Sequence, residues 1–308
     1  MSGLFDDFRS EFSKPNNTLV QLILINTVVF LTLLLAKAGF IMAQNLHMYE
    51  SIMAQLMIPS GILSFLYKPW TLITYFFTHE DIFHILYNML FLYWFGKLID
   101  EYLGNRRLVG LYVMGGIAGG LLFLLMYNTV PYFQGLSDTG KMLGASAAAF
   151  SVAVGAATLL PNYTFHLLFF GPVRIKYIVF FFITFSVAKA VGGSNVGGEL
   201  SHVGGALMGF FYVKLLQNGT DIGRPIYWLM ETWSGILRPK PAVKVSYRQR
   251  SNASTQASPF ASASGSPSTL STPDQDEVDM ILDKISRSGY ESLTREEKQK
   301  LFRASQRN

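Results

Sequence analysis

Two segments rich in small residues decide the fold, GASAAA at residues 144–149 and SHVGGALMG at residues 201–209. The first contains Ser146 and the second contains His202, and each lies near the start of an apolar stretch. Helices in lipid approach closely where small side chains line one face. Glycines that share a helical stripe with His202 stand at positions 198, 205 and 209. We therefore expect two helices whose backbones come close enough for a serine hydroxyl to reach an imidazole.

The composition of the whole chain favours a membrane protein. Half of the 308 residues are hydrophobic and only 15% are charged, with a mean hydropathy of +0.29, which is too apolar for a soluble domain of this length. The absence of cysteine excludes disulfides, thiolate metal sites and a cysteine nucleophile. The net charge of +5 comes from basic residues beside apolar runs without interleaved aromatics. We interpret these as topology signals and contacts with the lipid bilayer, and we expect no nucleic-acid partner.

Apolar stretches of about 20 residues predict six membrane-spanning helices. They lie near residues 18–38, 81–99, 107–127, 144–160, 173–192 and 199–217. The fold class is therefore an all-α polytopic membrane protein, and the mixed polar and apolar loop at 40–68 indicates an interfacial amphipathic structure.

Basic residues in alternate loops predict that both termini are cytoplasmic. The first span has no signal-peptide features and is expected to be retained, and a bacterial inner membrane is the expected location.

Composition also divides the chain into segments. A polar stretch without periodicity precedes the first span, Ser-, Ala-, Thr- and Pro-rich sequence follows the last one, and helical periodicity returns near the C-terminus. The segment after the bundle suits an interfacial helix or a buried soluble one. The predicted segments are an N-terminal cytoplasmic segment at 1–17, a six-span catalytic core at 18–220, an interfacial helix at 221–240, a disordered linker at 241–273, and a cytosolic helical hairpin at 274–308.

Four polar residues inside predicted spans are candidates for chemistry, because polar groups are costly in hydrocarbon. His84 and Asn88 are four apart and share one helix face. Ser146 lies in the first turn of its helix, where free backbone N–H groups can bind an oxyanion, and His202 could act as its base. His84 and Asn88 would add side-chain donors to that oxyanion site. This pattern is typical of acyl-transfer chemistry.

Over residues 66–217 the sequence resembles the rhomboid family of intramembrane serine proteases. The similar segments include HEDIFHILYN at 79–88, residues 101–107, and the two segments around Ser146 and His202. The resemblance implies a six-helix rhomboid-like bundle that cleaves single-span or polytopic membrane proteins without a metal or cofactor. It implies that Ser146 is the nucleophile and His202 the general base. The residues implied to form the oxyanion hole are His84, Asn88 and Ser146, and those implied to have structural roles near the site are His79, Gly144, Gly205 and Gly209.

The sequence departs from the family pattern at three positions, where the usual Gly, Ala and Arg are replaced by Ala147, Ser201 and Thr71. The added methyl group at Ala147 could crowd the site. The alternative function is therefore a catalytically inactive rhomboid-like protein that binds client helices without cutting them.

A zinc protease is a second alternative, because His79-Glu80 precedes His84. Its histidines should be four apart, whereas five apart rotates one of them by about 100° around the helix. A transporter or a bis-histidine haem protein would leave the Gly-Ala-Ser segment without a role.

Overall fold

The architecture is described from a computed structural model, in which residues 17–133, 135, 140–168, 170–191, 195–237, 275–288, 292–294, 296–298 and 300–301 are described. The chain forms two compact units, Met1–Ala242 and Val243–Asn308. The predicted linker at 241–273 and residues 1–16 of the predicted N-terminal segment lie outside the described residues.

The first unit is built almost entirely from helices. In chain order they are α1 (Thr18–Met42), α2 (Leu46–Leu56), α3 (Ile62–Tyr67), α4 (Thr71–Thr74), α5 (Ile82–Leu103), α6 (Asn105–Thr129), α7 (Ser146–Leu159), α8 (Ile175–Val191), α9 (Val196–Gln217) and α10 (Arg224–Leu237). Single 3₁₀ turns lie at Tyr75–Phe77 and Pro131–Phe133. The six predicted spans correspond to α1, α5, α6, α7, α8 and α9, which confirms the all-α polytopic fold.

The predicted helices differ from the observed ones at their ends. The helix α1 continues four residues beyond the predicted end, and α9 begins at Val196, upstream of the prediction. Among the described helices, α1, α5 and α6 are long and apolar enough to span a membrane by length and composition alone, and the apolar α7 has 14 residues. Hydropathy alone cannot locate helix ends, because these depend on capping and on tertiary contacts.

The loop between the first two long helices is more structured than its composition predicts. It contains α2, α3 and α4, and its strand β1 (Ile58–Pro59) pairs antiparallel with β2 (Lys141–Met142), just before α7. A second antiparallel pair joins β3 (Thr164–Leu167) to β4 (Gly171–Arg174) between α7 and α8. These short strands were not predicted. The β1–β2 pair attaches the loop to the segment that leads into α7.

Helix α7 lies at the centre of the bundle, where α5, α6, α8 and α9 pack around it. Nine of its residues are buried, and all of these are Ala, Val, Gly or Ser. Helix α1 packs on α5 and α6, and α10 packs on α6. Small side chains let several helices approach one central helix, because association in lipid depends on close van der Waals packing.

Glycines set the distance between α7 and its neighbours. A Cβ added at Gly205 would lie 2.0 Å from the backbone oxygen of Ala147, and one added at Gly209 would lie 2.1 Å from the backbone oxygen of Ser151. Contacts this short are not tolerated, so only glycine allows this α7–α9 separation. The small-residue segments at 144–149 and 201–209 are therefore in direct backbone contact.

The second unit contains α11 (Gln275–Ser288), and residues 296–298 and 300–301 are also helical. Lys284 forms an ion pair with Glu297 at 2.9 Å, which joins the two helical stretches. The backbone N–H of Thr294 donates to the Glu297 carboxylate at 2.7 Å, and the Glu297 N–H donates to the Thr294 hydroxyl at 3.3 Å. This reciprocal pair is a capping box. The turn between the two stretches lies outside the described residues.

Candidate active site

The backbone before α7 fixes Ser146 at the entrance of the helix. Gly144 has a φ of +117°, which side chains with a Cβ rarely adopt. Its N–H donates to the Tyr75 carbonyl oxygen at 2.9 Å. A Cβ at Gly144 would also lie 2.6 Å from His84 Cε1. Position 144 therefore requires glycine, because the backbone conformation is unfavourable for other residues and because His84 approaches closely.

Ser146 and His202 are in hydrogen-bonding contact across the α7–α9 interface. The distance from Ser146 Oγ to His202 Nε2 is 2.7 Å. The His202 ring stacks on Phe150, with ring centroids 4.6 Å apart and planes inclined by 7°. Phe150 lies one helical turn after Ser146, so α7 provides both the hydroxyl and the surface that orients the imidazole. Phe150 was not predicted.

His84 and Asn88 lie on the face of α5 that borders the cavity containing Ser146 and His202. Helix α5 begins just before them, because the Asp81 carboxylate accepts from the N–H groups of Phe83 and His84, both at 2.9 Å. This N-cap satisfies two of the free donors at the start of the helix. The predicted oxyanion donors thus share one turn of a capped helix facing Ser146.

His79 lies behind this face and is almost fully buried. Its Nε2 is 3.2 Å from Asn88 Nδ2, and the backbone N–H of Ala145 donates to the same nitrogen at 3.3 Å. His79 precedes α5, outside the membrane-spanning helices. Burial, and to a smaller extent the nearby His84, lowers the pKa of His79 to about 3. A neutral His79 can accept at Nε2 and so connect Asn88 to the backbone immediately before Ser146.

These groups open onto one cavity with a volume of about 680 Å³. Ser146, His202, His84 and Asn88 line it, together with aromatic side chains from α5, α7 and α8 at positions 87, 91, 94, 150, 182 and 185. A second, mostly aromatic cavity of about 550 Å³ shares Trp94 and Phe182 with the first. The site therefore combines a few polar groups with an apolar surface large enough for a peptide segment.

Sequence reasoning missed a polar cluster on the far side of His202. Ser186 Oγ lies 2.8 Å from His202 Nδ1 and 2.7 Å from Glu199 Oε2. Glu199 is buried and also pairs with Lys189. A carboxylate three residues before His202 on the same helix face was the signal available in the sequence. Lys189 and Ser186 lie in the fifth predicted span without a feature that distinguishes them as site residues.

The methyl group of Ala147 does not enter the cavity. Ala147 is fully buried, and a Cβ at Gly119 of α6 would lie 2.4 Å from the Ala147 Cβ. The side chain that replaces the usual glycine is therefore accommodated against a glycine on the neighbouring helix. The crowding expected from the sequence does not occur at this position.

In the part of the chain that the structure describes, no cluster of three or more His, Cys, Asp or Glu side chains is arranged to hold a metal ion. A hydrogen-bonded serine and histidine beside free helix N-terminal donors can perform acyl transfer. The fold and the site thus define a class of protein, a polytopic membrane helix bundle that contains a serine-histidine pair.

Comparisons with known proteins agree with this class. Residues 67–218 match the Rhomboid domain family. RHOMBOID-like protein 12, mitochondrial, from Arabidopsis thaliana is 34% identical over 192 residues, which cover 58% of this chain and 55% of that protein. Rhomboid protein 1, mitochondrial, from Saccharomyces cerevisiae is 36% identical over 140 residues, covering 44% of this chain and 38% of that protein. The chain belongs to the rhomboid family.

More distant similarity extends to presenilin-associated rhomboid-like protein, mitochondrial, from Mus musculus, which is 27% identical over 148 residues. The chain spans about half of the length of these curated relatives or less. Residues 272–307 match a separate family of unknown function, DUF6576. This match covers most of the predicted C-terminal hairpin.

Proposed function

We propose that the protein is an intramembrane serine endopeptidase that uses Ser146 and His202 to cleave membrane-protein substrates. The observation that carries the proposal is the 2.7 Å contact between Ser146 Oγ and His202 Nε2 at the start of α7. Membership of the rhomboid family supports the same reaction class. The reaction type is derived from the site, because a fold alone does not determine an activity.

In the proposed reaction, Ser146 Oγ attacks the scissile carbonyl carbon while His202 Nε2 takes the hydroxyl proton. The resulting oxyanion accepts from the Ser146 backbone N–H, which is free in the first turn of α7, and from His84 and Asn88. Asn88 Nδ2 has two hydrogens, so its contact with His79 leaves one for the oxyanion. His202 then donates its proton to the leaving amine, and water hydrolyses the acyl-enzyme by the same steps in reverse order.

The aromatic lining of the cavity supports a transmembrane segment as substrate. A scissile carbonyl inside a helix is already hydrogen-bonded to its own chain, and in lipid these bonds are not readily exchanged for water. The substrate must therefore unwind locally before attack, and we expect cleavage near a helix end that contains Gly or Pro.

The membrane in which the protein resides is not fixed by the fold or by the site. The bacterial inner membrane expected from the sequence receives no support from the comparisons, since the named relatives are mitochondrial. An integral multi-pass membrane location is supported, and the cytoplasmic position of both termini stays a prediction from the basic residues of alternate loops.

The test is to incubate purified wild type and Ser146→Ala with a panel of single-span membrane proteins reconstituted in liposomes. We expect cleavage by wild type, near one end of the substrate helix, and none by Ser146→Ala. Binding of the same segments without cleavage by either protein would support the client-binding alternative. Cleavage by both would assign the activity to another residue or to a contaminant.

A further inference from the structure

The Ser186, Glu199 and Lys189 cluster can do more than join two helices. It meets His202 at Nδ1, the ring nitrogen that does not face Ser146. Glu199 is only 3% exposed, so its charge is removed from solvent. Its hydrogen bonds and its ion pair must therefore stabilise the buried carboxylate. Lys189 and Ser186 come from α8, whereas Glu199 and His202 are one turn apart on α9.

The donor and acceptor chemistry of this cluster favours one tautomer of His202. A carboxylate can only accept, so Ser186 donates its single hydroxyl proton to Glu199, whose Oε2 lies at 2.7 Å and whose backbone oxygen lies at 3.2 Å. Ser186 Oγ then accepts from His202, which requires a hydrogen on Nδ1. With that hydrogen on Nδ1, the neutral ring has its lone pair on Nε2, directed at Ser146.

We propose that Glu199, acting through Ser186, is a positioning residue that holds His202 in the Nδ1–H tautomer required of a base for Ser146. The inference rests on the proposed function. Lys189 pairs with the other carboxylate oxygen, Oε1, and so balances the buried charge while leaving Oε2 for Ser186. The serine-histidine pair thereby becomes part of a hydrogen-bonded chain of four residues, Ser146, His202, Ser186 and Glu199.

The same cluster stabilises the imidazolium that forms during the reaction. When His202 takes the Ser146 proton, its Nδ1–H remains directed at Ser186, and Glu199 Oε2 lies 3.2 Å from Nδ1. The ionised carboxylate therefore lies next to the positive charge that the ring acquires during the reaction. Besides Ser186, the polar side chains around His202 are Ser146 on α7, His84 on α5, Lys189 on α8 and Glu199 on its own helix. Glu199 is the only anion among them.

The critical variant is Glu199→Gln, which keeps the shape and changes the acceptor pattern. Lys189 is a donor only, so the single amide oxygen of glutamine should face it, and the amide NH₂ should face Ser186. Ser186 would then donate to Nδ1 and move the His202 hydrogen to Nε2. We expect kcat to fall on the order of 10²- to 10⁴-fold with KM unchanged.

Two variants separate positioning from a purely structural role. In Ser186→Ala, Nδ1–H can still reach Glu199 Oε2 directly, so kcat should fall only about 10-fold. Glu231→Gln is the matched control, because this exposed carboxylate pairs with Arg106 far from the cavity, and it should leave kcat unchanged. A structural role would instead make the activity of each variant follow its thermal stability.

The readout that does not depend on activity is ¹⁵N NMR of histidine-labelled protein, with the His202 signal identified by its loss in His202→Gln. We expect Nδ1–H in wild type and in Ser186→Ala, and Nε2–H in Glu199→Gln. Nδ1–H in Glu199→Gln, or a kcat within threefold of wild type, would overturn the inference even if the protease activity stands. Failure of wild type to cleave would reject only the proposed function, because the tautomer is measured separately.

A further variant covers the case in which Glu199→Gln does not fold. In Glu199→Gln with Lys189→Met, the buried charge pair is removed and the glutamine oxygen is free to accept from Ser186. The Nδ1–H tautomer should return, with kcat within about 10-fold of wild type. An Nε2–H tautomer in this double variant would overturn the inference.

Discussion

Replacing Gly205 with alanine should disable the site by separating two helices, without altering any polar group. The new Cβ would lie 2.0 Å from the Ala147 carbonyl oxygen, and Cβ atoms essentially never approach another atom within 3.0 Å. The α7 and α9 backbones must therefore move apart by about 1 Å or more. Ala147 follows the nucleophile directly, so this displacement stretches the 2.7 Å contact between Ser146 and His202.

The expected loss in kcat is about 100-fold, the typical effect of a 1 Å misplacement of reacting groups. The free energy of unfolding should fall by about 1–3 kcal/mol, as in other overpacked cores. Initial cleavage rates of a single-span substrate in proteoliposomes measure the first effect, and thermal unfolding in detergent measures the second.

Gly39→Ala is the matched control, because a Cβ at Gly39 of α1 would meet no atom within 4 Å. It should leave the cleavage rate unchanged and stabilise the helix by up to about 1 kcal/mol. If Gly205→Ala, correctly folded, cleaves as fast as Gly39→Ala, the close α7–α9 contact does not position the two residues and the reasoning is refuted.

Three further predictions concern α5 and the residues before it. Asp81→Ala should lower the free energy of unfolding by about 1 kcal/mol, measured by thermal unfolding, because it removes the N-cap of α5; an unchanged stability would contradict the cap. Asn88→Ala should lower kcat about 10- to 1,000-fold by removing one oxyanion donor, and an unchanged kcat would locate the oxyanion site elsewhere. Burial and His84 lower the pKa of His79 to about 3 from 6.5, so between these values the unfolded chain binds a proton that the folded protein does not. Stability should therefore fall as pH falls below 6.5, by up to about 1.4 kcal/mol per pH unit, and His79→Gln should show a shallower fall; an equal slope would exclude His79 as the cause.

The helical framework could be predicted because its physical signal is local. Each of the six spans is an apolar run, and the small-residue stripes at 144–149 and 201–209 indicated which two helices meet. The short strand pairs could not be predicted in the same way. Ile58 pairs with Met142 across more than 80 residues, and a two-residue strand has no periodicity to detect.

The candidate site was predicted on one side of His202 only. Ser146, His84 and Asn88 lie in recognisable segments, and the structure brings all three to the cavity that contains His202. Ser186 lies in a run of aromatic and apolar residues on α8. Its contact with His202 depends on how α8 packs against α9, which no local pattern in the sequence specifies.

The burial of Ala147 shows a further limit of sequence reasoning. From the sequence, an added methyl beside the nucleophile suggested a crowded site. In the structure its direction is set by the helix, and Gly119 on α6 leaves room for it. A substitution next to a reactive residue can therefore be neutral for the site when its Cβ points into a neighbouring helix.

The most direct test of the central claim is to identify the residue that a fluorophosphonate modifies and to compare labelling rates by intact-protein mass spectrometry. The Ser146–His202 pair predicts one adduct per chain, located on Ser146, and labelling reduced to background in both Ser146→Ala and His202→Ala. Labelling of another residue, or equal labelling of wild type and folded His202→Ala, would contradict the claim that His202 activates Ser146.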